Sequence, residues 1–538
     1  MKRKPSSAWE HDEHGDGTHV FGDFVSKWGK VGANPLGGQQ VEHIRLADRP
    51  FDSMPSSQRE ALHLSHRMLK DLSLRLLGRL DVEDCKALEA AFHAAEVSIG
   101  TICSGSESPV LTMKSLISAM NQMFQMNASM RHRFGCEINR HKQAFILEMM
   151  PDIEALFGDA AALKFARATC ARSGRACPVP RCRVLIAGFP CNDVSALNPH
   201  SKEDEHRRII ESGGKPTGSC LWSVCMLYTR KPLMVKMSPN LSSWKNVVGL
   251  LKGSNMETIA AEFRRRGWSF KAFVLCPSFF GMCQYRGRVW MILLKLSTLD
   301  RAVNEEQINR KLSSLMDGFV GHPMMSMDEF LLQESHDAVR QYYDRMSAKN
   351  ATLVAGSCEE VPAWNDAETM RMFPGLKEIG YRAWKVMQAC GVKRLPEEQS
   401  RILNLPQNAE RCHQGGAHGK HQVIHCFTPT GVPFHTQRLR RVLGFEGLRL
   451  QGICYQDCNG DGSDEATVNA KLLKFPDKLL AYIAGNAFQT NCCCAALLSG
   501  LVAMAIFSRI PTGKGLATSV DHRAALFETW ESDSDGDR

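Results

Sequence analysis

A cysteine presented at a stiff strand exit is where this 538-residue chain concentrates its chemistry. Residues 183–201 read RVLIAGFPCNDVSALNPHS. Val184 to Ala187 form an apolar, β-branched run that predicts a buried strand, and Gly188 marks its turn. Pro190 fixes its own φ and pushes Phe189 towards an extended conformation, so Cys191 is displayed beyond the strand instead of packing inside the sheet. In an open α/β sheet ligands sit outside the carboxyl ends of the strands, so a thiol at this point faces a bound substrate. An arbitrary cysteine is a small core hydrophobe. The Pro-Cys placement sets this one apart.

Three further groups precede that strand. VSIGTI, from Val97, predicts a strand, CSGSESP a tight turn and VLTMKSLISAM a helix. Ser104 and Gly105 are small enough to let the turn's backbone approach a nucleotide-like ligand. RHRFGCEI predicts the next strand and ends in Glu137, placed to accept hydrogen bonds from ribose hydroxyls. GDAAAL then offers Asp159 as an acceptor for an adenine amino group. Singly, these are an ordinary βα turn and two surface acids. In this order, ahead of Cys191, they predict a cofactor site.

The elements that must position these groups are those of an α/β protein. Amphipathic helices are expected from about Ser56, one with Leu62, Leu69, Leu72 and Leu76 on a face, the next with Val82, Cys85, Leu88 and Phe92. After Ser195 come the charged run KEDEHRR and a glycine-rich stretch, a loop able to close over a substrate. SCLWSVCMLYTR and ETIAAEFRRRGW predict helices; KPLMVKM, SFKAFVL and RVWMILLKL predict strands. From about Ser297 to His425 the periodicity fades, through a His/Gly-rich patch RCHQGGAHGKHQ, and a smaller inserted domain is expected there. RLRRVLGFEGLRLQG leads into a helix, and another from about Lys471 leads to GNAF.

Composition narrows the classes. The net charge of +9 suits a polyanionic partner. Twenty cysteines without a secretory signal point to reduced thiols in a nuclear or cytosolic compartment. Neither Cys177 with Cys182 nor Cys492 to Cys494 has a second half with zinc-ligand spacing. DCNGDGSDE begins like a calcium loop, but Val468 stands where the bidentate glutamate belongs. Ala481 to Ser508 carries no formal charge, yet polar residues break it and its apolar part falls short of the roughly 20 residues of a membrane span. A buried core helix is expected, and no membrane partner. The basic start MKRKP is compatible with a nuclear address.

Taken in order, SGSESP, GCEINRHKQAFI, GDAAAL, AGFPCNDVS, KNVVGLL, QYRGR, RRVLGFEGLRLQG and GNAF resemble the successive motifs of the cytosine-C5 DNA methyltransferases. The resemblance spans roughly 97 to 294 and 432 to 490, with the gap where that family places its target-recognition domain. It implies a Rossmann-like, mostly parallel sheet flanked by helices, with an inserted smaller recognition domain, binding S-adenosyl-L-methionine. The implied division is an N-terminal extension (1–95), a cofactor-binding and catalytic domain (96–296), a target-recognition region (297–431), the rest of the catalytic domain (432–510) and an acidic tail (511–538). Ser104, Gly105, Glu137, Asp159, Pro190 and Asn486 would then surround the cofactor. Cys191 would be the nucleophile adding to cytosine C6, Arg288 would contact the extruded base, and Gln284 and Arg286 would support its loop. Arg440 and Glu446 fall on the family's pattern of an arginine six residues before a glutamate.

One motif departs. The family protonates cytosine N3 with the glutamate of Glu-Asn-Val, but KNVVGLL has Lys245 there, and no acid occurs between Glu211 and Glu257. Seven residues, SPNLSSW, also stand between KPLMVKM and the motif. A lysine beside an attacking thiolate is expected to stabilise the anion, with turnover lower by about 10²-fold than with a carboxylic acid. Three functions follow: methylation of cytosine in double-stranded DNA in the nucleus; methylation of RNA, since HCFTP at 425–429 resembles part of a Cys-Phe-Thr signature of the tRNA-methylating branch; or binding of cofactor and nucleic acid without turnover.

Overall fold

A computed structural model describes residues 41–43, 67–191, 240–353 apart from 252–253 and 323–324, 402–404, parts of 424–455, and 465–508. The chain enters with β1 (Val41–His43), α1 (Arg67–Leu77) and α2 (Val82–Phe92). There follow β2 (Glu96–Ile102), α3 (Ser108–Phe124), β3 (Ser129–Cys136), α4 (Arg140–Met149) and β4 (Ala155–Phe157). A hairpin of β5 (Arg167–Thr169) and β6 (Ala176–Pro178) leads to β7 (Val184–Ala187). Next come β8 (Leu241–Val247), α5 (Asn255–Arg265), β9 (Lys271–Leu275), β10 (Arg288–Leu294), α6 (Glu305–Phe319) and α7 (Asp337–Leu353). Three short strands, β11 (Ile402–Asn404), β12 (Pro433–His435) and β13 (Arg440–Arg441), form a separate antiparallel sheet. The last helices are α8 (Gly444–Leu450), α9 (Glu465–Leu473), α10 (Asp477–Asn486) and α11 (Thr490–Phe507).

Among the described residues the main sheet has eight strands in the order β1-β9-β10-β8-β7-β2-β3-β4. Every pairing is parallel except those of β10, which is antiparallel to both neighbours. The chain builds outward from β2 through β3 to β4 and then, from β7, in the opposite direction. That reversal lies between β2 and β7, and it opens the crevice that open α/β sheets use for ligands. Their ends meet in register, Ile102 opposite Ala187, with Gly188 N donating to Ile102 O at 2.9 Å.

β7 is apolar on both sides because both faces of the sheet are covered. Val184 and Ile186 join one core with α1, α3 and α11; Leu185 and Ala187 join the other with Trp244, Phe263 and Phe270. α6 also packs into the first core through Ile308, Leu312, Leu315, Met316 and Phe319. These residues recur at helical spacing, so the periodicity expected to fade from Ser297 is clear in this helix.

Several expectations shift in detail. The strand beside β7 is LSSWKNV, paired in parallel from Leu241↔Val184 to Trp244↔Ala187. SPNLSSW is therefore no spacer before the motif: its last four residues are the strand itself. KPLMVKM lies outside the described residues, as do Ser195, the KEDEHRR loop, SCLWSVCMLYTR, RCHQGGAHGKHQ, most of DCNGDGSDE and both termini. The helix expected from Lys471 is two helices, with Pro476 at the N-cap of α10, where a missing N–H costs nothing. Val82, placed on an apolar face, is 67% exposed at the first turn of α2. Asp477–Phe507 is long and apolar enough to cross a membrane, with mean hydropathy 1.9 over its best window, yet 89% of that window is buried inside the protein. It packs as core helices.

Candidate active site

The crevice end of β2 is a turn in which Cys103, Gly105 and Glu107 all have positive φ, at 55°, 70° and 53°. Only glycine adopts that conformation without strain, so the other two are held by their contacts. Glu107 accepts from Thr101 Oγ1 at 2.7 Å and Ser104 Oγ at 2.6 Å, and it starts α3. Burial pushes its carboxyl up to about 7 against those hydrogen bonds, with Glu137 adding repulsion. Ser104 is thus turned inward to Glu107, and the turn offers mainly backbone to a ligand.

Glu137 stands just beyond β3, as the sequence predicts. Its Oε1 accepts from Asn139 N at 3.0 Å, and its Oε2 lies 3.9 Å from Lys142 Nζ. A Cβ built on Gly105 would lie 3.4 Å from Lys142 Nζ and 3.6 Å from Glu137 Oε2. The turn and the acid therefore share one cradle. Ile138, next along, is 73% exposed. Asp159 caps the short helix after β4 through Ala161 N at 2.8 Å, at the carboxyl end of the sheet with Glu137.

On the other side of the crevice, Pro190 and Cys191 are both partly buried beyond β7. Asn246 Nδ2 donates to Phe189 O at 3.4 Å and so ties β8 to the cysteine's loop. Gly188 is required by close approach: a Cβ there would be 2.5 Å from the Phe488 ring. Lys245, two residues before the end of β8, points to the same side. Its ammonium donates to Asn486 O at 3.4 Å and lies 4.8 Å from the centre of the Phe488 ring. Burial and, after it, the Arg286 and Arg288 guanidiniums bring its pKa down to about 7, with Cys191 and Cys426 acting in the opposite sense.

The QYRGR segment supplies the cations of this cluster. Arg286 is buried and clasps two segments, donating to Phe427 O at 2.6 Å and, at the end of α10, to Gly485 O at 2.8 Å and Ala487 O at 3.2 Å. Arg288 opens β10, and its Nη2 lies 3.1 Å from Cys426 Sγ, which Arg286 Nη1 also reaches at 3.3 Å. Burial opposes ionisation of Cys426, but the Arg288 and Arg286 charges and hydrogen bonds outweigh it and bring the thiol down to about 7. Gln284 is fully buried and accepts from Gln451 Nε2 at 3.1 Å, a support within the loop. Asn486 turns its side-chain amide back to Tyr482 O at 3.0 Å, leaving its carbonyl to Lys245.

The expected residues thus form two neighbouring groups, Ser104, Gly105, Glu137 and Asp159 on the β2–β4 side and Pro190, Cys191, Lys245, Gln284, Arg286 and Arg288 on the β7–β10 side. Asn486 and Phe488 lie beside the second. Arg440 and Glu446 meet in a buried bidentate pair at 2.8 and 2.9 Å, and Glu446 also accepts from Leu332 N at 2.8 Å. Sequence reasoning did not single out Cys426 as a site residue, nor Asn246 or Lys142. Asn246 lies in the motif KNVVGLL and Cys426 in HCFTP, and those motifs were the available signals; nothing local marks Lys142.

Residues 171–452, more than half of the chain, match the family described as C-5 cytosine-specific DNA methylase. A curated relative, DNA (cytosine-5-)-methyltransferase DMT5 of Cryptococcus neoformans var. grubii, is 24% identical over 78% of this chain. The alignment spans only 18% of that relative's length. Among solved structures, the Entamoeba histolytica methyltransferase EhMeth is similar at 12% identity with a TM-score of 0.41, covering 76% of this chain and 98% of that one. The S. pombe Dnmt2 methyltransferase is similar at 11% identity with a TM-score of 0.37, covering 76% and 98%. With a family match over more than half its length and that family's motifs gathered around one crevice, the chain belongs to the C-5 cytosine-specific DNA methylases, which are S-adenosylmethionine-dependent.

Proposed function

We propose that this chain is a DNA (cytosine-5-)-methyltransferase that acts on double-stranded nuclear DNA through a covalent bond between Cys191 and cytosine C6. The observation that carries the reading is strand order: the Pro190–Cys191 exit follows β7, β7 pairs in parallel with β8, which carries Lys245, and β8 pairs with β10, which Arg288 opens with Arg286 two residues before it. The net charge of +9 suits the polyanion.

The cofactor's residues fit. Gly105, at φ 70°, gives the turn a conformation that only glycine adopts freely and leaves its backbone open beside Lys142 and the buried carboxylate of Glu137. When bound, S-adenosylmethionine supplies an electrophilic methyl group. The chain's residues must make C5 of the base able to accept it. Cytosine has to leave the duplex to be reached. Arg288 holds the extruded base, and the Cys191 thiolate adds to C6, so that electron density moves onto C5 and N3. Lys245, as ammonium, donates to N3 and stabilises the charge that develops there. Asn246 holds the loop that carries the thiol, and Arg286 holds the segments around it.

DNA containing 5-fluorocytosine tests the reading, because the C5 proton that must leave is absent and the adduct is trapped. Cys191→Ala should abolish the trapped adduct and leave cofactor binding intact. An undiminished adduct in that variant overturns the assignment.

A second reading, methylation of RNA, is favoured by Cys426. It belongs to HCFTP, which resembles the Cys-Phe-Thr signature of the tRNA-methylating branch, and its sulfur contacts Arg288. Transfer of labelled methyl groups to duplex DNA and to total tRNA separates the two, and label on tRNA alone would replace the first reading by the second.

A further inference from the structure

Lys142 stands in the cofactor cradle with no role in the motif pattern. It lies in the first turn of α4, only 7% exposed, yet its ammonium has no close hydrogen bond among the described residues. Its neighbours are Glu137 Oε2 at 3.9 Å and the Tyr482 ring, whose centre is 4.6 Å away. A nearly buried ammonium needs an anion within hydrogen-bonding reach to offset its lost hydration, and a carboxylate at 3.9 Å with a ring face offsets only part.

The position of this charge selects what could complete it. Lys142 Cδ and Nζ lie 3.6 and 3.4 Å from where a Cβ of Gly105 would be, so the side chain runs over the β2–α3 turn, which the family resemblance places at the methionine end of the cofactor. Tyr482 is one turn before Asn486 on α10, so the ammonium bridges that turn and α10. Glu137, the other anion present, is the group expected to accept the ribose hydroxyls. At its methionine end S-adenosylmethionine has two cationic groups, sulfonium and ammonium, and one anionic group, the α-carboxylate. Only the carboxylate is attracted to Lys142.

We propose that Lys142 is the carboxylate-recognising residue of the cofactor site, a side-chain clamp that selects ligands carrying the amino-acid carboxylate. This rests on S-adenosylmethionine being the ligand of the cradle. Its ammonium turns from Glu137 to the incoming carboxylate, which frees Glu137 for the ribose.

Calorimetric titration with S-adenosylmethionine and with decarboxylated S-adenosylmethionine isolates the one group. The wild-type chain should bind the first about tenfold or more tightly than the second, as expected for a charge-assisted hydrogen bond shielded from water. Lys142→Met should erase that preference by weakening S-adenosylmethionine alone, and Lys142→Arg should retain it. The readout is a ratio within each variant, so altered folding does not imitate it. Equal loss of both ligands in Lys142→Met, or an unchanged preference, overturns the proposal. If the wild type binds neither ligand, the cofactor site fails and the proposal with it.

Discussion

Lys245 and Cys426 are brought down into the same pH range, the amine from 10.5 and the thiol from 9.0, each to about 7. Arg286 and Arg288 are common to both: they disfavour a third cation at Lys245 and favour an anion at Cys426. For Lys245 the folded pKa is depressed below the unfolded one, so between about 7 and 10.5 the unfolded chain binds more protons and stability rises with pH. Below about 7 both states are protonated and the penalty is complete. Lys245→Met should therefore be more stable than the wild type at pH 6, by on the order of 2–4 kcal/mol, with the gap closing towards pH 10. Urea titrations at both pH values measure it, and a gap that does not narrow would place the amine elsewhere. The catalytic counterpart follows from the same proton. Lys245→Met should reduce methyl transfer by about 10²-fold at pH 6.5, and the wild-type to variant rate ratio should fall as pH rises through 7, because the neutral amine no longer donates. A ratio independent of pH would remove Lys245 from the proton chemistry.

Between elements, contact distance decides what one methyl group does. Gly444 starts α8 against α10, and a Cβ there would stand 2.3 Å from both Ala481 N and Asp477 O, backbone atoms that cannot yield. Gly318, near the end of α6, has nothing within 4 Å of its Cβ position. The same change should act with opposite signs. Gly444→Ala should destabilise by about 2 kcal/mol or more through overpacking. Gly318→Ala should stabilise by about 0.5–1 kcal/mol, the helix-propensity gain alone. Thermal unfolding of both variants checks the pair, and destabilisation by Gly318→Ala would show that α6 packs differently there. The buried Arg440–Glu446 pair works at this level too. It lies between β13 and α8, and through Leu332 N it fixes the segment before α7. Removal of one partner would leave the other charge uncompensated.

For the whole molecule, binding to duplex DNA through phosphate contacts should weaken by tenfold or more between about 50 and 200 mM salt, whereas cofactor affinity should change little. Fluorescence anisotropy with labelled duplex against calorimetry with the cofactor tests this, and salt-independent DNA binding would contradict it. How much of the molecule could be read from its residues differs from place to place. Val184–Ala187 was legible to the residue, because a β-branched run ended by Gly-Phe-Pro fixes a strand locally. The turn at Gly105, the acid at Glu137 and the helix between them were legible for the same reason, as each is specified within a few residues. The strand before Asn246 was not. LSSW has two serines and no alternation to announce it, and only pairing with β7 and β10 makes it a central strand. By itself, the sequence determined the order of the elements, the cysteine at the strand exit and the family. Tertiary structure alone decided that Lys245 shares a site with Arg286, Arg288 and Cys426, and that Lys142 reaches the cradle, because burial and charge act through space and depend on neighbours far apart in the chain.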